Sequence, residues 1–330
     1  MTELLARGQE TQKALALLIT RHKSHLLLSY CMNAKHLTIG LFVPFLLAGC
    51  AGTTPVAKES PSDTAAVSLS DTHVHGLSVD RATSNRIYIA THHGLLALED
   101  DARLTRVGSS VDDFMGFSPH PTDPAIFFRS GHPSGGGNLG VQKSDDGGLS
   151  WETISSGGTG GPVDFHTMTA HPANPNVLFG WFSGQIRRST DGGKTWEILP
   201  ERLSILSVAG DPSNPETVYA GTQQGLLVST DQGDTWSAAD SSLQGTTIID
   251  IEPQPSNGTL LLATAERGIL RFGSTSEGGR TIEEVGTLPE GDIAMHLALD
   301  PKNPQVLYVF SKGHTIYKSI DAGKNWQKLL

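Results

Sequence analysis

The strongest constraint on this chain is an eight-residue pattern that returns at near-constant spacing. Ser144-Asp145-Asp146-Gly147-Gly148-Leu149-Ser150-Trp151 recurs in kind from Ser189 to Trp196, from Ser229 to Trp236 and from Ser319 to Trp326. Thr275 to Ile282 is a worn copy, with Glu277 for the acid and Ile282 for the tryptophan, and a sixth copy around Asp100 and Asp101 is barely recognisable. Measured at the acidic position, the copies fall at 101, 146, 191, 231, 277 and 321, spaced by 45, 45, 40, 46 and 44 residues. That period is one four-stranded propeller blade. The turn chemistry agrees: Asp and Ser oxygens accept backbone N–H groups, Gly supplies positive φ, and Trp packs between blades.

A second repeated turn sets the register. Asp80-Arg81, His120-Pro121, His171-Pro172, Asp211-Pro212, Gln254-Pro255 and Asp300-Pro301 each follow a short alternating segment and precede a β-rich one, such as Arg86 to Ala90. These are read as the first and second strands of each blade; the third strand leads into the eight-residue turn and the fourth begins at its Trp. The expected fold is therefore all-β, with six such units filling residues 71–330, which favours a six-bladed propeller of antiparallel four-stranded blades over a seven-bladed one. The eight-residue pattern resembles the Asp box, or BNR repeat, of sialidases, sortilin-like receptors and related propellers, and the likeness covers residues 71–330. In those families the box lies on the outer rim, so the resemblance implies a structural role for Asp146, Asp191, Asp231 and Asp321. With the chain ending in a fourth strand, ring closure is expected to use the segment near Ala65 to Asp71 or simple packing.

Upstream of the repeats, Lys35 and His36 precede an apolar run from Leu37 to Leu47 that ends in Leu47-Ala48-Gly49-Cys50. The run is too short to span a bilayer, and small residues before a cysteine resemble the lipobox of bacterial lipoproteins. Residues 32–49 are thus expected to be a lipoprotein signal, Cys50 the lipidated mature N-terminus, and residues 50–70, rich in Thr, Ser, Pro and Ala, a flexible tether. Residues 1–31 are either an upstream mis-start before Met32 or an extended n-region. The expected protein is exported and anchored to the membrane, facing away from the cytoplasm. The second cysteine, Cys31, is lost with the signal, leaving no disulfide and no thiolate metal site. Residues 1–49 carry five Lys or Arg and two Asp or Glu, so their removal takes the formal charge from −10 to −13. Such a surface excludes nucleic acid as a partner, because phosphate neutralisation needs basic groups.

In this topology the blade-to-blade connections and the second-to-third strand turns share one face, at the mouth of the central channel. Five residues before the repeated turn, the six blades carry His75, Met115, His166, Leu206, Ile249 and Met295. The turns on the same face add His92-His93, His132 and His314, while His73 and His75 form a His-x-His pair on one side of a strand. Asp113 and Asp164 enter blades two and three at the same level. His120 and His171 stand where other blades have Asp or Gln, and are read as turn-bonding residues. Imidazole with thioether suits copper, especially Cu(I), whereas imidazole with carboxylate suits zinc or another divalent ion. The expected metal ligands are His75, Met115 and His166, with His93, His132 and Met295 added. The competing reading makes the methionines packing residues and the histidines blade contacts or exposed groups.

The likeness to sialidase-like glycosyl hydrolases is a fold-level argument, and activity must come from a site. The family implies an arginine triad, a Tyr nucleophile assisted by Glu, and an Asp acid. Here its Arg-Ile-Pro motif is missing, only Arg267, with Arg129 nearby, reaches the relevant face, and Tyr88, Tyr219 and Tyr308 share a repeated second-strand position that marks packing. Other glycosidases need only two carboxylates, for which Asp113 and Asp164 are the candidates. A third reading is an interaction or assembly platform with an envelope protein partner, as in sortilin-like receptors and photosystem assembly propellers. The leading expectation is an envelope lipoprotein whose propeller binds a copper-type ion or small ligand.

Overall fold

The computed structural model describes residues 68–274 and 279–330. The signal-like segment, Cys50, the tether up to residue 67 and the centre of the worn fifth box lie outside the described residues. Six four-stranded sheets follow one another along the chain, each built from consecutive antiparallel strands. Blade one comprises β1 Val74–Val79, β2 Arg86–Thr91, β3 Gly94–Glu99 and β4 Arg103–Arg106, and blade two β5 Asp113–Pro119, β6 Phe127–His132, β7 Val141–Ser144 and β8 Glu152–Ser155. Blade three holds β9 Thr167–Ala170, β10 Leu178–Phe182, β11 Gln185–Ser189 and β12 Glu197–Arg202, and blade four β13 Ser207–Gly210, β14 Val218–Thr222, β15 Gly225–Ser229 and β16 Ser237–Ala238. Blade five holds β17 Ile248–Gln254, β18 Thr259–Thr264, β19 Ile269–Ser274 and β20 Arg280–Gly286, and blade six β21 Ala294–Leu299, β22 Leu307–Ser311, β23 Ile316–Ser319 and β24 Gln327–Lys328. This is the six-bladed propeller that the repeat period predicts.

The period-2 geometry of a strand explains the packing. In β2, Ile87 and Ile89 face blade six while Tyr88 and Ala90 face blade two, so one strand feeds two apolar clusters. Every junction between neighbouring blades carries such a cluster. The second strands are therefore buried on both faces and read as near-continuous apolar runs.

The innermost strands β1, β5, β9, β13, β17 and β21 ring a central cavity of about 160 Å³. Their inner edges have no strand partner, and an unpaired buried N–H is costly. Side chains of the preceding blade cap them. Ser118 Oγ accepts from Ala170 N at 2.8 Å, Ser207 Oγ from Ile251 N at 3.2 Å, Asp250 Oδ2 from Leu297 N at 2.9 Å and Glu252 Oε1 from Leu299 N at 3.2 Å. Burial in the channel, with Asp250 adding, pushes the Glu252 carboxyl up to about 8.

Among the described residues no strand is exchanged between the first and last blades, and the two blades meet by packing. Leu69, Val74, Ile87 and Ile89 meet Ala298, Tyr308, Phe310 and Ile316 in one cluster. Polar bonds cross the same seam: His296 Nε2 lies 3.0 Å from Val74 O, Tyr308 OH donates to Asp101 Oδ1 at 3.3 Å, and Lys318 Nζ to Asp101 Oδ2 at 2.5 Å. The faint first box is thus recruited to closure, with Asp100 and Asp101 both at positive φ.

Candidate functional site at the channel mouth

The ring position counted from the sequence has a backbone cause. In blades one, two, five and six, His75, Met115, Ile249 and Met295 are each the extra residue of a β-bulge between the first and second strands. In blades three and four His166 N donates to Trp181 O at 3.1 Å and Leu206 N to Gly221 O at 2.8 Å, beside the paired residues Thr167 and Ser207. A bulge bends its strand and re-aims the side chain, here at the channel mouth.

Blades one and two bring three donors together there. His75 Nε2 lies 3.7 Å from Asp113 Oδ1, and His92 Nε2 lies 3.6 Å from Asp113 Oδ2. The two imidazoles stack with centroids 4.6 Å apart, and the ligand atoms of His75, His92 and Asp113 all lie within 4.8 Å of one another. The His73 ring also meets His92, tilted, with centroids 5.1 Å apart. His75 Nε2 and Asp113 Oδ1 are both buried with no hydrogen-bond partner. Burial, with His92 next and His296, His73 and His166 adding, holds the His75 imidazole down at about 3, so it is neutral with a free lone pair. Burial pushes the Asp113 carboxyl up, opposed by His92 and His132 and reinforced by Asp164.

Asp164, 2 % exposed, organises a second group. Its Oδ2 lies 2.9 Å from His132 Nε2 and 3.0 Å from His166 Nε2, while its Oδ1 is buried without a partner. His132 Nδ1 also meets Gly137 O at 2.7 Å, so both its ring nitrogens face acceptors. That carbonyl raises the basicity of His132, with Asp164 and Asp113 adding against burial. Asp112, by contrast, is taken up by Arg129 Nη2 at 3.0 Å and Ser110 Oγ at 2.9 Å.

Among the sequence-derived ligands, the structure joins His75 to a donor set and places His132 and His166 together on Asp164. Met115 lines the channel with His75, and Met295 packs against the closing cluster of blades six and one. His93 is exposed at the tip of the β2–β3 turn, where its N–H donates to Thr91 Oγ1 at 3.0 Å. The imidazole that reaches Asp113 is its neighbour His92. No periodic signal separates the two, because a two-residue turn between Thr91 and Gly94 has no alternation to read.

His120, His171, Tyr88 and Tyr219 are engaged in hydrogen bonds within the fold. His171 is fully buried, with Nε2 2.9 Å from Thr217 O and Nδ1 accepting from Ala173 N at 3.2 Å, and His120 Nδ1 accepts from Asp123 N at 3.1 Å. Tyr88 and Tyr219 donate to Asp80 and Asp211 at 3.0 and 3.1 Å, and burial pushes both phenols up to about 12. Arg129 is sandwiched over the Phe114 and Trp151 rings at 4.3 and 4.7 Å.

The BNR/Asp-box repeat family matches residues 187–197 and 227–238, the box turns of blades three and four with their flanking strands. No curated protein matches the chain. Solved structures similar to it include a GH74 enzyme from Niastella koreensis, with TM-score 0.58 and 18 % identity over 78 % of this chain and 45 % of that one. A GH74 xyloglucanase from Xanthomonas campestris gives TM-score 0.54 and 20 % identity over 78 % and 45 %. The chain thus spans under half the length of these enzymes, and at such identity the likeness concerns the fold. The chain is a six-bladed β-propeller built on BNR/Asp-box repeats.

Proposed function

We propose that this propeller binds a divalent transition-metal ion at the channel mouth through His75, His92 and Asp113, as an exported protein anchored through Cys50. The observation that carries the reading is the convergence of two imidazoles and a carboxylate, of which His75 Nε2 and Asp113 Oδ1 are buried without partners. Buried polar atoms are normally satisfied, and metal coordination supplies what these lack. Ligands held about 2.1 Å from a tetrahedral ion lie about 3.4 Å apart; His75 Nε2 is 3.7 Å from Asp113 Oδ1, His92 Nε2 is 3.6 Å from the other oxygen, Oδ2, and the three donors lie within 4.8 Å of one another, so the set would draw in to close on an ion. Imidazole with carboxylate favours Cu(II) or Zn(II); Cu(I) would call on the Met115 thioether at the neighbouring bulge. A glycosidase using Asp113 and Asp164 is less favoured, since each carboxylate is flanked by two imidazoles.

Metal content of the full chain, purified in detergent, exposed to Cu(II) or Zn(II) and desalted, tests the reading by mass spectrometry. About one ion per chain is expected, falling to background in the His75→Ala, His92→Ala double variant. An empty native protein, or equal loading of the variant, overturns it.

A further inference from the structure

We propose that the central channel, at the end away from the histidines, binds a small zwitterion: a free α-amino acid with a short side chain. Arg81 takes its carboxylate, and Glu252 with Asp250 takes its ammonium group. Arg81 follows β1 at the opposite end from His75, so the site does not use the metal donors.

Arg81 departs from the pattern of the other blades. The residue after the repeated turn position is proline in five of them, Pro121, Pro172, Pro212, Pro255 and Pro301, and arginine in blade one. Proline in a compatible turn stabilises by restricting the unfolded chain, and arginine forgoes that. The turn is held by other means: Asp80 Oδ1 accepts from Ala82 N at 2.7 Å and from Thr83 N at 3.2 Å. From this turn Arg81 lines the cavity together with Pro121, Pro172 and Pro255. Its Nε is buried with no hydrogen-bond partner, and a buried polar atom of that kind calls for an explanation. Burial lowers the basicity of Arg81, opposed by the charge of Glu252. A guanidinium keeps its proton in such surroundings, and its planar fork of donors matches a carboxylate.

Two acids line the same cavity. Asp250 and Glu252 stand two apart on β17 and so share a side of the strand. Both oxygens of Asp250 are engaged, Oδ2 by Leu297 N at 2.9 Å and Oδ1 by Ser207 Oγ at 3.0 Å. Glu252 Oε1 accepts from Leu299 N at 3.2 Å, which leaves Oε2 for a donor from the cavity. Arg81 and Glu252 act on each other's charge, yet among the described residues they form no ion pair. Opposite charges that face one cavity without closing on each other suit a molecule that carries both signs. One water needs about 10–15 Å³. The cavity, about 160 Å³, therefore holds more than a bridging water but is smaller than the roughly 300 Å³ of the smallest drug-sized sites. A simple carboxylate entering it meets Arg81 but is repelled by Asp250, and a simple amine meets the acids but is repelled by Arg81. A zwitterion satisfies both ends and adds no net charge. Burial, with Asp250 adding, favours the protonated Glu252 carboxyl up to about 8, and an ammonium group supplies the same positive charge in place of that proton.

The test is calorimetric titration of the full chain in non-ionic detergent with L-alanine, propionate and ethylamine, after stripping with EDTA and dialysis. Stripping removes any metal that an amino acid could chelate, so failure here is separate from failure of the metal reading. L-Alanine is expected to bind saturably, about one molecule per chain. Propionate and ethylamine should each bind about 10- to 100-fold more weakly, the scale of one charged hydrogen-bonded end. Arg81→Pro, the residue of the other five blades, should stay folded by circular dichroism and lose alanine affinity by a similar factor. Arg81→Gln should do the same with the backbone unaltered. Glu252→Gln keeps an oxygen for Leu299 N and should also weaken alanine. Lys324→Gln, which removes an exposed cation of blade six, should keep the native affinity. No saturable alanine binding, equal affinity for propionate or ethylamine, or undiminished affinity in both Arg81 variants would each overturn the assignment.

Discussion

Ser144 Oγ shows how much one side chain does in this fold. It accepts from Gly148 N at 2.8 Å and donates to Asp146 Oδ1 at 2.7 Å, while Asp146 also accepts from Ser150 N at 2.9 Å and Ser150 Oγ at 2.6 Å. Gly148 has φ +89, and a Cβ there would meet Leu95 Cδ2 at 2.7 Å, so both conformation and space require glycine. The Ser150 hydroxyl leads in holding Asp146 down at about 2; Ser229 leads for Asp231 and Asn325 for Asp321, which fall to the same value. A depressed carboxyl contributes stability fully above its ordinary value of 3.8 and loses it as pH falls towards 2. His171 works at milder pH, beside His75 and His120: burial lowers the basicity of each from 6.5, so below that pH the unfolded chain takes the proton first and stability declines, with His171 one share of that limb. The melting temperature should therefore fall in two acid limbs. Asn at 146, 231 and 321 should lower it at neutral pH and flatten the limb from pH 4 to 2, and His171→Asn should flatten the limb just below 6.5. Unchanged slopes in calorimetry would refute both assignments.

At the scale of elements, the box hairpin differs from blade to blade in how its tryptophan is held. Trp196 Nε1 donates to Gly193 O at 2.8 Å and is 3.1 Å from Ser155 Oγ of the preceding blade, with its ring 4.8 Å from Phe165. Trp326 packs in the cluster between blades five and six, but its Nε1 is buried without an acceptor. A bond removed costs about 1 kcal/mol, whereas removing an unsatisfied donor costs little beyond volume. Trp196→Phe should thus lower the unfolding free energy by about 1–2 kcal/mol and Trp326→Phe by less, in urea titrations monitored by far-UV circular dichroism; the reverse order would refute the account. The bulges at the channel mouth are the other recurrent element. In four blades they carry His75, Met115, Ile249 and Met295 at one ring position, which blades three and four fill with His166 and Leu206 without a bulge.

Across the whole molecule, each blade is contiguous in sequence, so closure rests on the interface between blades one and six. Leu69 stands outside β1 yet is buried in that interface. Leu69→Ala should lower the unfolding free energy by about 2–4 kcal/mol with an unchanged urea slope, because the ring unfolds as one unit. A loss below 0.5 kcal/mol would mean that the segment before β1 is not part of closure, a threshold well under the usual cost of a buried leucine.

Blade number and strand order could be read from the chain because they depend on turns repeated at a constant period, in which Asp146, Asp191, Asp231, Asp321, His120 and His171 accept main-chain N–H groups. The ring position of His75, Met115 and His166 followed from the same periodicity. The pairing of His75 and His92 with Asp113, and of Asp164 with His132 and His166, could not be read in this way. Asp113 begins the blade after His75 and His92, and the direction of a turn side chain such as His92 rather than His93 is set by what packs beside it. Local turn chemistry determines a blade; only stacking the blades into a closed ring decides which imidazoles share a carboxylate.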